Sequence, residues 1–137
     1  MKALALDIGE KRTGVAAGDT DAKIAIPISV IATKDVLTYA SSFRRLVEDH
    51  EPELLVVGLP LTLGGEENQQ TLWVREHAEH IAKTLGIPLV YQDERLTSTE
   101  AKRYLRQAGC TEREMRGKID MVAASLLLRA YLDAGLS

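Results

Sequence analysis

One carboxylate, Asp7, stands between Leu6 and Ile8 in a run that otherwise reads as a buried strand. Lys2 to Ile8 has strand character, and Thr13 to Ala17 reads as its antiparallel partner, with Gly9 and Gly14 framing a basic turn at Lys11 and Arg12. Burying an ionised carboxylate by itself costs roughly several kcal/mol, so the acid must find a partner. Two solutions exist. Asp7 caps the glycine turn or pairs with Lys11 or Arg12, or it is delivered to a cation-binding site that needs further carboxylates from elsewhere in the chain.

The rest of the chain supplies the elements for such a site. Ile24 to Thr33 reads as a third strand, with Pro27 favouring an edge or a bulge. Asp35 is a candidate N-cap for a helix to about His50, carrying Leu37, Ala40, Phe43, Leu46 and Val47 at helical spacing. Glu53 to Leu59 is a continuous apolar strand of the kind covered on both faces. A loop from Leu61 to Glu67 follows, and Asn68 can cap a helix whose stripe is Val74, Ala78, Ile81, Ala82 and Leu85, ending at Gly86. Ile87 to Gln92 is a fifth strand, and Thr97 or Ser98 can cap a helix through about Gln107 that Gly109 terminates. Thr111 and Glu114 have capping-box spacing, and Ile119 to Ala134 is strongly helical. Three antiparallel strands followed by βαβ crossovers predict an α/β fold.

A length of 137 residues with 45% hydrophobic content suggests a single domain, residues 1–137. No run of about 18 apolar residues occurs and the N-terminus lacks signal-peptide regions, so no membrane role is expected. Cys110 is the single cysteine, which excludes an internal disulfide and fits a reducing cytoplasm; it reads as a turn residue rather than a nucleophile. The net charge of −3 hides an asymmetry. Between Arg95 and Lys118 seven Lys or Arg face three acids, leaving 10 basic and 17 acidic side chains elsewhere. Clustered cations with an acidic back face suit a polyanion such as nucleic acid.

Asp120 is a second misplaced acid. Residues 120, 123, 124, 127 and 131 share a helical face on which the other four are Ala, Ala, Leu and Tyr. A dipole role at a helix N-terminus would account for it if the helix began near Arg116. A third acid comes from Asp93-Glu94 at the end of the fifth strand; neighbours on a strand face opposite sides, and spacing alone does not choose between them. Asp7, one of this pair and Asp120 would form an oxygen-rich site suited to Mg²⁺ or Mn²⁺. His77 and His80 lie off the apolar stripe and read as solvated, and the Gly64-Gly65 loop lacks the Lys-Ser/Thr of a P-loop.

Four stretches together resemble the YqgF (RuvX) family of bacterial nucleases with an RNase H-like fold. They are Leu6 to Ala16, Val56-Val57-Gly58-Leu59-Pro60, Asp93-Glu94-Arg95-Leu96-Thr97-Ser98-Thr99-Glu100-Ala101, and Lys118-Ile119-Asp120 with Ala123-Ala124 and Leu126 to Leu132. Thr13 stands where the family more often has isoleucine, a departure not expected to affect the acids. The resemblance implies a five-stranded mixed sheet of order 3-2-1-4-5 flanked by helices. It also implies catalytic, metal-holding acids at Asp7, Glu94 and Asp120, preferring Glu94 to Asp93. Members are held to process the 5′ end of precursor 16S ribosomal RNA, and were earlier proposed as Holliday junction resolvases because they resemble RuvC.

From these the expected chemistry is phosphodiester hydrolysis assisted by Mg²⁺ or Mn²⁺. Lys11, Arg12, Arg95, Arg116 and Lys118, beside the acids in sequence, are expected to hold backbone phosphates, with salt bridges to the acids as the competing role. Only 4% of residues are aromatic, so base stacking is minor, with Tyr91 and Tyr104 as unsupported platforms. The partner expected is structured RNA, or branched DNA in the alternative; the chain acts as monomer or homodimer, since a resolvase cutting two strands favours a two-fold pair. Leu126, Leu128 and Leu132 could serve such an interface, although core packing explains them more simply. Two rival classes are a catalytically silent RNA-binding module and a sugar-kinase or actin-like ATPase, whose nucleotide site needs two such domains.

Overall fold

The computed structural model describes residues 1–95 and 97–134, with only the backbone of Ser98. Leu96, and the Ser98 side chain as a cap, therefore lie outside the described residues. The elements are β1 (Lys2–Ile8), β2 (Arg12–Asp19), β3 (Ile24–Ala32), α1 (Thr33–Leu37), α2 (Ser41–His50), β4 (Leu54–Leu59), α3 (Gln69–Leu85), β5 (Leu89–Asp93), α4 (Thr97–Gln107) and α5 (Glu112–Ala134). The strands form one sheet of order β3-β2-β1-β4-β5, as expected. β1 pairs antiparallel with β2 and parallel with β4, so the carboxyl ends of β1, β4 and β5 lie along one edge.

Strand alternation sorts side chains onto two unlike faces. On one, Leu4, Leu6, Ile8, Val15, Leu55 and Val57 pack against Val36, Phe43, Leu46, Val74, Ala78 and Ile81 of α1, α2 and α3. The other face is built from small residues. Ala3, Ala5 and Ala16 lie there with Leu54 and Val56, and α5 covers them with Ala124, Leu128 and Leu132. Asp7 follows Ala3 and Ala5 on this second face. α4 packs on α5 through Ala101, Leu105, Met115, Val122 and Ala123.

Two glycines bring α5 close. A Cβ added at Gly14 would overlap the carbonyl oxygen of Asp120 and lie 2.9 Å from the Met121 nitrogen; one at Gly18 would overlap Ile24 and approach Leu128 Cδ2 to 2.9 Å. β2 can thus touch the helix backbone only because position 14 has no side chain. At Gly58, on β4, a Cβ would lie 2.6 Å from Glu94 Oε2 and 3.1 Å from Leu127 Cδ2.

Local signals hold well. β3 is an edge strand, and its pairing jumps from Val15–Ser29 to Ala16–Pro27, so Ile28 is the bulged residue beside Pro27. All six residues of β4 are buried, as its unbroken apolar run requires. Asn68 and Thr71 form a reciprocal cap on α3, which ends at Gly86 with φ +68°. Thr111 and Glu114 form the same box on α5, each side chain bonding the other's backbone nitrogen at 3.2 and 3.0 Å.

Two helical readings need correction. The expected helix from Asp35 to His50 is broken into α1 and α2. Tyr39 adopts φ +53°, so the helix ends at Leu37 and restarts at Ser41, and Asp35 lies within the first turn of α1, whose N-cap is Ala32. Periodicity survived the break because Leu37, Phe43, Leu46 and Val47 still address one core. The second concerns Asp120: α5 runs unbroken from Glu112, leaving Asp120 more than two turns inside, where the helix dipole gives it little. Leu128 and Leu132 are buried in the core, and Leu126 packs between α4 and α5. Among the described residues no helix is long and apolar enough to cross a membrane.

The glycine contacts set a paired test. Gly14→Ala should lower unfolding free energy in urea by about 1–3 kcal/mol or more, because α5 must shift to admit the methyl group. Gly117→Ala, where a Cβ would meet nothing within 4 Å inside the same helix, should raise it by up to about 1 kcal/mol.

Candidate active site

The three acids arrive from three elements. Asp7 lies one residue before the end of β1, opposite Gly14. Glu94 follows β5 directly, its amide donating to Leu59 O at 3.3 Å. Asp120 comes from the α5 turn that rests on Gly14.

Alternation resolves the Asp93–Glu94 pair. Leu89 and Tyr91 face the α3 side, and Asp93 follows their phase; its carboxylate accepts from Arg95 Nε at 2.7 Å and from the Arg95 amide at 2.9 Å. Glu94 turns the other way, into the space left by Gly58, and meets Asp7. The two carboxyl groups lie side by side, and each holds its proton more tightly than a free carboxyl does. Burial is the main cause that pushes Glu94 up to about 9, with the nearby charge of Asp7 next. Asp7 is also raised, again chiefly by burial, and Asp120 adds repulsion. Arg95, by contrast, holds Asp93 below the usual carboxylate range.

Asp120 stands slightly apart. Its Oδ2 accepts from Arg12 Nε at 3.1 Å, so the basic turn pairs with Asp120 and not with Asp7. Among the described residues no three His, Cys, Asp or Glu side chains are gathered closely enough, as they stand, to hold one ion. Asp7 and Glu94 lie together, and Asp120 acts on Asp7 through its charge. Their donor set nonetheless fits a hard cation: two half-buried carboxyls side by side, with a third, Asp120, close enough to act on Asp7.

The cations divide. Arg12 and Arg95 are engaged with acids, the competing role considered for them, although Arg95 also donates to Leu63 O at 3.0 Å and so pins the loop after β4. A cleft of about 300 Å³ opens there, lined by Asp7, Pro60, Leu61, Glu94, Arg95 and Thr99. Arg116 is exposed and lines a second, larger cleft. Lys11 and Lys118 are exposed, and Lys118 lies near Glu114 one turn away. Sequence reasoning did not assign Lys102 and Arg106, which line the second cleft; their one signal was membership of the basic cluster.

Other candidates settle as bystanders. Thr13 is fully buried on the face opposite the acids, where its hydroxyl meets that of Thr33 at 2.9 Å and Thr33 bonds Gly9 O. His77 packs edge-on against Trp73, and His80 Nε2 lies 3.0 Å from Leu37 O. Tyr91 is covered by the Arg75 guanidinium at 4.8 Å, whereas Tyr104 is exposed.

Comparison with known proteins agrees with this geometry. Residues 1–134 match the family model described as "RuvX: Holliday junction resolvase". A Chloroflexus aurantiacus protein named "Putative pre-16S rRNA nuclease" is 42% identical over 131 residues, covering 96% of this chain and 86% of that one. A protein of the same name from Thermosynechococcus vestitus is 37% identical, over 98% and 89% of the two chains. In fold, the chain is similar to the Fowlpox virus resolvase solved with Holliday junction DNA, at TM-score 0.64 and 12% identity over all of both chains. It is also similar to Thermus thermophilus RuvC with a Holliday junction substrate, at TM-score 0.57 and 13% identity over 100% of this chain and 96% of that one. The sheet order, the small-residue face under α5 and a match along nearly the whole sequence place this chain in the RuvX (YqgF) family, with the RNase H-like fold of the RuvC-like resolvases.

Proposed function

We propose that residues 1–137 act as one nuclease domain that hydrolyses phosphodiester bonds at the 5′ end of precursor 16S ribosomal RNA in the cytoplasm, with Asp7, Glu94 and Asp120 as the catalytic acids. The observation that carries the chemistry is the Asp7–Glu94 pair: two half-buried carboxyl groups held together at the open end of the sheet, whose joint ionisation a cation would favour. The names of the relatives carry the substrate.

Asp7 and Glu94 would hold Mg²⁺ or Mn²⁺, with Asp120 joining them once its carboxylate leaves Arg12. Ions so bound supply a water of lowered pKa and neutralise charge on the phosphoryl oxygens. Gly58 gives Glu94 its room, and Gly14 sets how near Asp120 comes. Arg12, on releasing Asp120, gains a free guanidinium beside the scissile phosphate; Lys11, Arg95, Arg116 and Lys118 surround it and hold the flanking backbone. The strand enters through the 300 Å³ cleft, where Arg95 keeps the Leu63 loop aside.

A second reading, a resolvase acting on branched DNA, is favoured by the likeness in fold to RuvC and the Fowlpox virus enzyme. Both readings use the same acids. They differ in assembly, since a resolvase works as a two-fold pair and an RNA-processing enzyme can work as a monomer.

Cleavage of precursor ribosomal RNA and of a four-way DNA junction, side by side with Mg²⁺ or Mn²⁺, separates the two. The expected result is RNA cleavage that chelation abolishes and that Asp7→Asn lowers by at least about 100-fold, since even outer-shell partners of metal ligands cost 10–100-fold. Junction cleavage alone would establish the resolvase, and silence on both with RNA binding intact would establish a non-catalytic module.

The raised Glu94 and Asp7 also predict a pH dependence. Their folded values lie above their unfolded ones, so the native state holds more protons and loses stability as pH rises from about 4.5 towards 9. Melting temperature in chelator should therefore fall across that window, Glu94→Gln should flatten the fall, and Mg²⁺ should oppose it by binding the ionised pair.

A further inference from the structure

The larger cleft of the molecule, about 480 Å³, lies between α4 and α5 on the far side of Arg12 from the acid pair. Arg12, Lys102, Arg106 and Arg116 line it, with Glu112 the one acid. Met115 and Ile119 form its apolar floor. Among the described residues Lys102, Arg106 and Arg116 make no ion pair, so three unpaired cations face one opening against the single charge of Glu112. Like charges held together repel, and an anion between them relieves the repulsion.

The helices fix this arrangement. Ala101 and Leu105 are buried against α5, which holds Lys102 and Arg106, one turn apart, at the rim. Thr99, which lines the acid cleft, stands three residues before Lys102 and seven before Arg106, so all three share one face of α4. That face spans about 10 Å from the acid cleft to the basic one. Arg12 joins the two from the sheet side, lining the basic cleft while bonding Asp120.

We infer that the α4–α5 cleft is a subsite for a phosphate of the strand being cut, held by Lys102, Arg106 and Arg116 while the scissile phosphate lies against the acids, with α4 as the rail between them. This rests on the nuclease reading for its ligand and on the cleft's own charge for its place. It gives two residues that touch no acid a role in positioning the substrate.

The test is binding of a fluorescent single-stranded RNA 12-mer to the full chain in chelator, over a range of salt concentrations. Compared are wild type, Lys102→Gln/Arg106→Gln, and Arg45→Gln/Lys83→Gln, an equal reduction of charge at exposed positions on the opposite layer. The cleft pair should weaken binding at least tenfold and lower the log–log salt slope by about 0.7, the share of the one phosphate no longer neutralised. The control pair should change binding less than twofold. Equal weakening by both pairs would overturn the subsite, leaving only net charge. Cleft-dependent binding of decaglutamate or of inorganic phosphate, without the RNA, would overturn it too, in favour of an acidic peptide or a free anion. Because no cleavage is read, cleft-dependent RNA binding by a chain that cuts nothing would retain the subsite while the nuclease reading fell. Loss of cleavage in Asp7→Asn with no cleft dependence would do the reverse.

Discussion

The close approach of α5 to the sheet is the contact from which the rest of the site follows. A helix backbone normally stands off from a sheet by the depth of the intervening side chains. Here Ala3, Ala5, Gly14, Ala16 and Gly18 leave almost no depth, and a helix face of Ala124, Leu128 and Leu132 meets them. Asp120 is thereby carried to the edge where Asp7 ends its strand. Had the small residues fallen on the other face, the same three acids would lie on opposite sides of a sheet.

That arrangement works against stability. Two half-buried carboxyl groups lie together, which raises the affinity of both for protons, and Asp120 adds to the repulsion on Asp7. The fold tolerates this because each surrounding group is satisfied. Asp120 has Arg12, Asp93 has Arg95, and no buried side-chain polar atom among the described residues lacks a partner. The remaining tension is confined to Asp7 and Glu94, which the proposed divalent cation would relieve. Preorganised repulsion of this sort is a common source of ion affinity at catalytic centres.

The basic residues follow a related logic. Arg12 and Arg95 are held by acids, whereas Lys102, Arg106 and Arg116 at the α4–α5 cleft form no ion pair among the described residues. A polyanion that binds there meets unpaired cations first and paired ones only as it nears the acids. Arg12 belongs to both sets, and under the proposed function it would link substrate binding to release of Asp120.

Much was determined by the sequence alone, wherever the signal was local. The hairpin around Gly9 and Gly14, the bulge at Pro27, the caps at Asn68 and Thr111 and the buried β4 all depend on neighbours a few residues away, and each was legible. Asp7 and Asp120 stood out as acids on apolar faces, and likeness to a family joined Glu94 to them. The break at Tyr39 was not legible, because helical spacing continues through it and only a positive φ reveals the turn. Tertiary structure alone turned Glu94 inward and Asp93 toward Arg95, since a strand's phase is set by the sheet it joins. It also decided that Arg12 bonds Asp120 across 108 positions of sequence and that Lys102 and Arg106 face a cleft. Pairings between distant segments depend on how helices and sheet pack, which no short window of residues contains.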